Sequence, residues 1–356
     1  MKKEIDIAFA LLRSALKGPA EQAGRDVSLS TKDWWGLFRL MQQNHVSALA
    51  SEAFAHLEQK PPREVLIPWL SEQQKAIDYH HHQARIEQEL KALFASKHID
   101  CMVLKGTHLA SYYPRPELRE FGDLDLYFYH QHREADALVV KRLHVDIHHD
   151  GHHHTKYAYN GVTVESHYDF LNIHYPSSNR RYEALLKELV SSKDTLSTFH
   201  FPLSTFEILF LLRHMACHFA SNRISLRDLC DWYCLNRAIG QHVDMDLVRD
   251  TVRRFGMVPF ASVLDEVMRR RFGLDLHYGE VADKALVERF ERDTVYGNSQ
   301  RDAHDHEDLG RLWWKLRRFG SNRWKQRMVF NDNIVSLYVS SLTSHASKPR
   351  SILHKV

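Results

Sequence analysis

Asp123 and Asp125 stand two residues apart in the run Phe121-Gly122-Asp123-Leu124-Asp125-Leu126-Tyr127-Phe128. The alternation has a period of two and predicts a strand with both carboxylates on one face and Leu124, Leu126 and Phe128 on the other. On such a strand the two acids sit about 7 Å apart at the backbone, a spacing that can ligate one or two hard cations through oxygen. A third acid, Glu165, shares a predicted strand face with Thr163 and His167, while Val162 and Val164 take the opposite face. If the two strands are neighbours, Asp123, Asp125 and Glu165 form a divalent-metal cluster. Two-metal sites of this kind activate an attacking hydroxyl and stabilise a pyrophosphate leaving group, with the protein supplying position and charge neutralisation. Apolar residues flank the Asp pair, so bare carboxylates there need cations or donors.

Upstream, the short apolar run Ile99–Leu104 ends in Lys105-Gly106-Thr107. It reads as a buried strand meeting a turn, whose amides could meet phosphate oxygens while Lys105 neutralises charge. Leu109–Tyr113 continues briefly until Pro114 and Pro116 stop it. Asn160-Gly161 is a hairpin turn signal between Tyr157–Tyr159 and Val162–His167.

The remainder of the chain must position these groups, and it reads as helix. Residues 1–95 form an N-terminal helical region. Ser30 or Thr31 caps a helix carrying Trp34, Leu37, Phe38 and Met41, and after Pro61 and Pro62 a second helix runs to about Ser96 with Ile86, Leu90, Leu93 and Phe94 as its stripe. Residues 96–200 are the α/β core. Residues 201–300 are helical again: Ser204 and Glu207 make a capping box, Leu203 and Ile208 a hydrophobic staple, and a following helix holds Leu226, Leu229, Trp232 and Tyr233. Residues 301–356 form a basic, aromatic C-terminal segment. No internal repeat is visible. The order predicts an α+β fold, a small mixed sheet flanked by helices.

Bulk properties bound the partners. At 356 residues, 44% hydrophobic and 26% charged, the chain can bury a sizeable core. Its net charge of +3 is too small to imply nucleic acid by itself. Cys101, Cys217, Cys230 and Cys234 form no CxxC pair, and Cys230 and Cys234, four apart on one helix face, read as small buried thiols. Glu4, Asp6 and Arg13 make the N-terminus an amphipathic helix, not a signal peptide, and no stretch reaches the ~20 apolar residues that cross a bilayer. Cytoplasm is the simplest expectation. Histidine is abundant, at 26 residues. The runs His80–His82 and His152–His154 are not expected to form single metal sites, because adjacent side chains diverge.

Taken together, Val103-Leu104-Lys105-Gly106, Tyr112-Tyr113-Pro114, Arg119, Gly122-Asp123-Leu124-Asp125 and Val164-Glu165-Ser166-His167 resemble the uncharacterised bacterial nucleotidyltransferase family of the DNA polymerase β-like superfamily. The resemblance runs from about Trp34 to about Leu235. The superfamily's usual turn is Gly-Ser or Gly-Gly, and here it is Lys-Gly-Thr. The resemblance implies that Asp123, Asp125 and Glu165 hold Mg²⁺, with Mn²⁺ an acceptable substitute, and that Lys105, Gly106 and Thr107 contact the triphosphate of an NTP. Arg119 would join them, or else pair with Glu117 or Glu120. His154 and His167 would touch substrate or orient a ligand.

His214 and His218, four apart on a helix, would border the cleft and contact substrate or pack there; the His-Glu-x-x-His zinc pattern fails because position 215 is Met. Arg227, Asp228 and Asp231 would form a buried polar network beside them. The implied reaction moves a nucleoside monophosphate from an NTP to an acceptor hydroxyl, with release of pyrophosphate. A catalytically inactive nucleotide-binding regulator and a kinase-like phosphotransferase are the alternatives on the same site. Finally, Trp313, Trp314, Phe319 and Trp324 interleave with Arg317, Arg318, Arg323, Lys325 and Arg327 across residues 311–330. That pattern suits nucleic acid, an anionic membrane surface, or an amphipathic helix packed on the core.

Overall fold

The computed structural model describes residues 2–17, 29–120, 122–149, 153–174, 176–191, 201–297 and 320–331. Its centre is a four-stranded mixed sheet: β1 (Met102–Val103), β2 (Leu124–Tyr127), β3 (His154–Tyr159) and β4 (Val162–His167) in the order β1-β2-β4-β3. β1 runs antiparallel to β2, β2 parallel to β4, and β3 antiparallel to β4. Asn160 and Gly161 both take positive φ, 47° and 78°, as the expected two-residue hairpin turn requires. The apolar run Ile99–Leu104 yields only two paired residues. Leu104 turns away after donating its backbone N–H to the Asp125 carbonyl.

Before the sheet come α1 (Lys2–Lys17), α2 (Thr31–Gln43), α3 (Ser47–Ser51) and α4 (Arg63–Ala95). Ser30 caps α2 in a reciprocal box with Asp33, so the start read from sequence holds. Within the α/β region lie α5 (Thr107–Ala110) and α6 (His132–Leu143). After the sheet follow α7 (Asn179–Ser191), α8 (Phe201–Ser221), α9 (Leu226–Ile239), α10 (Met245–Arg254), α11 (Val258–Val267), α12 (Lys284–Tyr296) and α13 (Arg323–Val329). The start of α8 corrects the capping box read at Ser204. The helix already runs from Phe201 with Pro202 in its first turn, a position that proline's fixed φ suits. Glu207 instead accepts the Tyr112 hydroxyl at 2.7 Å and lies 3.1 Å from His108 Nε2.

Two apolar clusters hold these elements. The larger joins α1–α3, the start of α4 and the helices from α7 to α13. The smaller lies behind the sheet: Leu124, Leu126 and Phe128 of the β2 strip and Val162 and Val164 of β4 pack on Ile86, Leu90 and Phe94 of α4 and on Ala135 and Val139 of α6. The period-two reading of β2 therefore holds, with its apolar face buried and its acidic face turned toward the helices. Cys230 and Cys234 are buried free thiols on α9, as expected.

In the basic aromatic segment, Trp313, Trp314, Arg317, Arg318 and Phe319 lie outside the described residues. Its described end packs inward. Lys325 is fully buried and pairs with Asp293 at 2.5 Å, and Trp324 meets Phe219 edge-on. Among the described residues no helix is long and apolar enough to cross a membrane.

Candidate active site

The parallel pairing of β2 with β4 puts Asp125 directly opposite Glu165. Asp123 precedes β2 by one residue and sits further out, half-exposed, where Gly122 presents its carbonyl to Tyr79 and Gln83 of α4. The three acids line one cleft of about 830 Å³ between the sheet face, α4, α8 and the start of α9. The strand neighbourhood inferred from sequence is therefore present; Asp125 and Glu165 cluster with His167, while Asp123 stands outside that cluster and shares the cleft.

Each acid has a positive partner. Lys105 Nζ lies 3.1 Å from Asp125 Oδ1. His167 Nε2 lies 3.1 Å from the same oxygen and 3.4 Å from Glu165 Oε2. Lys156 Nζ bridges Asp123 at 3.3 Å and Glu165 at 3.1 Å. The titration behaviour follows. Burial would raise the Asp125 carboxyl, but Lys105 and His167 outweigh it and hold the group well below the usual carboxylate range. Burial likewise opposes ionisation of Glu165, yet the His167 hydrogen bond brings it down to about 2. Asp123 moves the other way, raised by partial burial and by the neighbouring Glu165 charge. Two acids are thus held ionised, while the outermost carries their repulsion.

The Lys105-Gly106 turn forms as expected. Gly106 has φ 62° and ψ −121°, a conformation only glycine adopts without strain. Thr107 is a different matter. It opens α5, and its hydroxyl donates to Glu87 on the far side of the turn, facing a second cavity. Only its neighbours Lys105 and Gly106 line the acidic cleft. Arg119 pairs with neither Glu117 nor Glu120. Its guanidinium takes Asp231 of α9 in a two-pronged bond, and Nη1 donates to the Gly106 carbonyl at 3.3 Å. Tyr113 also donates to Asp231, at 2.6 Å. Arg119 thus braces the turn from beneath. Asp228 caps α9 through Ser225, and Arg227 lines the cleft, so the expected polar network on α9 divides into these three roles.

His214 and His218 pack as tilted rings with centroids 4.3 Å apart and line the cleft, His214 Nε2 being 3.4 Å from Lys105 Nζ. Burial and the Lys105 charge keep both neutral. His154 Nε2 lies 3.7 Å from Glu165 Oε1. The expectation that the second histidine run would diverge fails in part. His153 and His154 have centroids 4.6 Å apart, and both lie near the His167 ring, at 5.3 and 5.0 Å. His153 precedes the strand, so strand alternation does not govern it. Lys156 and His153 are site residues that the sequence reading missed. For Lys156 the signal was available: counting outward from the Asn160–Gly161 turn pairs it with Glu165.

The model of a family described as uncharacterised nucleotidyltransferases matches residues 30–273, which include every residue of this cleft. The chain belongs to that family. With membership comes a nucleotidyl-transfer role at family level. The match begins at the cap of α2 and ends just beyond α11, so the family unit comprises the sheet and the helices that wall the cleft. No curated protein and no solved structure gives a significant match.

Proposed function

We propose that the chain is a Mg²⁺-dependent nucleotidyltransferase that moves a nucleoside monophosphate from an NTP to an acceptor hydroxyl and releases pyrophosphate. The observation that supports this most is the in-register pair of Asp125 and Glu165 on adjacent parallel strands, with Asp123 at the mouth of the same cleft. The donor set fits a hard cation: three carboxylates, two of them ionised, whose charge is balanced in the bare chain by the side chains of Lys105, Lys156 and His167. When bound, Mg²⁺ would neutralise phosphate charge and make the acceptor hydroxyl easier to deprotonate.

The chain's own residues would do the rest. Asp123 and Asp125 would hold the cations, and Glu165 would complete the set near the acceptor. Lys105 and the Gly106 turn would orient the triphosphate. Lys156, freed from the acids, would offer its charge to a phosphate oxygen. Arg119 would keep the turn in place. The bases and acceptor would lie along the outer cleft, walled by Tyr79, His45, His218 and Arg227.

The test is incubation of the full chain with Mg²⁺ and each common NTP, reading pyrophosphate against nucleoside diphosphate. Pyrophosphate release that disappears in both Asp123→Asn and Asp125→Asn, with unchanged circular dichroism, supports the proposal. Full activity in either variant overturns it. Release of nucleoside diphosphate would indicate a kinase-like reaction instead, and nucleotide binding without turnover a regulatory module.

A further inference from the structure

Behind the carboxylates lies a nitrogen-rich cluster that Mg²⁺ has no use for. One ring nitrogen from each of His153, His154 and His167 lies within 4.8 Å of the others. Glu165 borders the same group, its oxygens 3.7 Å from His154 Nε2 and 3.4 Å from His167 Nε2. A four-coordinate ion with bonds of about 2.0–2.1 Å sets its ligand atoms roughly 3.4 Å apart, so these donors need little rearrangement to close on one.

Two further observations point to a ligand. First, the Nδ1 atoms of His153 and His154 are both buried and have no hydrogen-bond partner among the described residues. A buried ring nitrogen without a partner is costly, and an ion bound at these two Nδ1 atoms would satisfy both. Second, His167 is oriented as a metal-binding histidine is. Its Nδ1 lies 3.4 Å from the Asp169 carbonyl, an acceptor that would favour a proton on Nδ1, and its Nε2 faces two carboxylates. A lone pair so placed needs a positive charge between itself and those oxygens, whether proton or metal.

We infer that His153, His154 and His167, with one oxygen of Glu165, form a binding site for a nitrogen-accepting divalent transition ion of the zinc class, beside the carboxylate pair. Mg²⁺ favours an all-oxygen octahedron and would be held outward, on Asp123, Asp125 and the second oxygen of Glu165. The site ties the start of β3 to the end of β4 at their paired residues, His154 and His167. It needs no nucleotide and holds whether or not the transfer reaction does, so the two can fail separately.

The experiment is titration of the metal-free full chain with Co²⁺, read by visible absorption, with Zn²⁺ as competitor and nitrogen couplings by pulsed paramagnetic resonance. The expected result is one equivalent of tetrahedral Co²⁺ with imidazole couplings, displaced by stoichiometric Zn²⁺ and untouched by excess Mg²⁺. His154→Gln and His153→Gln should each weaken binding at least about ten-fold. A variant replacing His80, His81 and His82 together with Gln controls for the other histidine run and should bind as the parent does. Octahedral or absent Co²⁺ binding overturns the inference. So does loss of binding only in the triple variant, or full affinity in both single variants.

Discussion

Arg119 lays Nε and Nη2 along the two oxygens of Asp231, at 2.6 and 2.8 Å, across 112 residues of sequence. Both side chains are almost wholly buried. Removing either partner leaves an uncompensated charge, and such losses cost about 3–5 kcal/mol. Arg119→Ala and Asp231→Asn should each lower the urea midpoint accordingly. Joint replacement by Met and Leu should recover part of the loss, because an apolar pair carries no buried charge, the remainder being the partners lost by the Tyr113 hydroxyl and the Gly106 carbonyl. A double variant no more stable than the singles would contradict this.

Gly106 gives a prediction that separates shape from space. A Cβ there would meet nothing nearer than 3.8 Å, so an alanine fits, but at φ 62° it is strained. Gly106→Ala should cost of order 1–3 kcal/mol, or the turn will shift to relieve the strain. In the second case the KM for the nucleotide rises while stability changes little. Unchanged stability and unchanged KM together would mean that the turn has no positional role.

Lys156 competes with any cation for Asp123 and Glu165. Lys156→Met should therefore tighten Mg²⁺ binding in the absence of nucleotide, by about ten-fold at low ionic strength and less as salt screens the charge. Calorimetric titration measures this. Equal affinities in parent and variant would show that the ammonium leaves the acids at no cost.

Asp265 predicts a pH effect far from the cleft. Its Oδ2 accepts the N–H groups of Tyr278 and Gly279 at 2.8 Å, while Oδ1 is buried and without a partner among the described residues. Burial lifts the carboxyl to about 6 even against those two donors. Between the ordinary aspartate value near 4 and about 6, the folded chain keeps a proton that the unfolded chain has released. This group's contribution to stability therefore falls as pH rises through that window and is level above it. Asp265→Asn retains the acceptor and removes the titration. Urea midpoints between about pH 4 and 7 should show a flatter slope for the variant.

What the sequence disclosed, and what it did not, follows from the range of the interactions. Period two in β2 and the Asn160-Gly161 turn are local, so the faces of Asp125 and Glu165 and the hairpin register could be read directly. Adjacency of β2 and β4 had to be supposed, because nothing within either strand encodes a parallel partner. The role of Arg119 was hidden for the same reason, since Asp231 lies a whole sheet away. Thr107 follows Lys105-Gly106 directly, a place that suits a phosphate contact, but the helix it begins turns its hydroxyl to Glu87. Ser204 and Glu207 matched a cap by spacing while Pro202 upstream had already started the helix.

The 33-residue helix α4 carries its buried residues at two ends, Val65 and Trp69 in the larger cluster and Gln83 through Phe94 at the smaller one. Between Trp69 and Gln83 none is buried, and it is this span, with Glu72, Lys75, Ala76 and Tyr79, that forms a wall of the cleft. A rod about 50 Å long is thus clamped at both ends and free along one side of its middle. Although that side is open, the Tyr79 hydroxyl ties the span to the Gly122 carbonyl, so a bow of the rod would carry the residue before Asp123 with it and couple the gape of the cleft to the position of that acid.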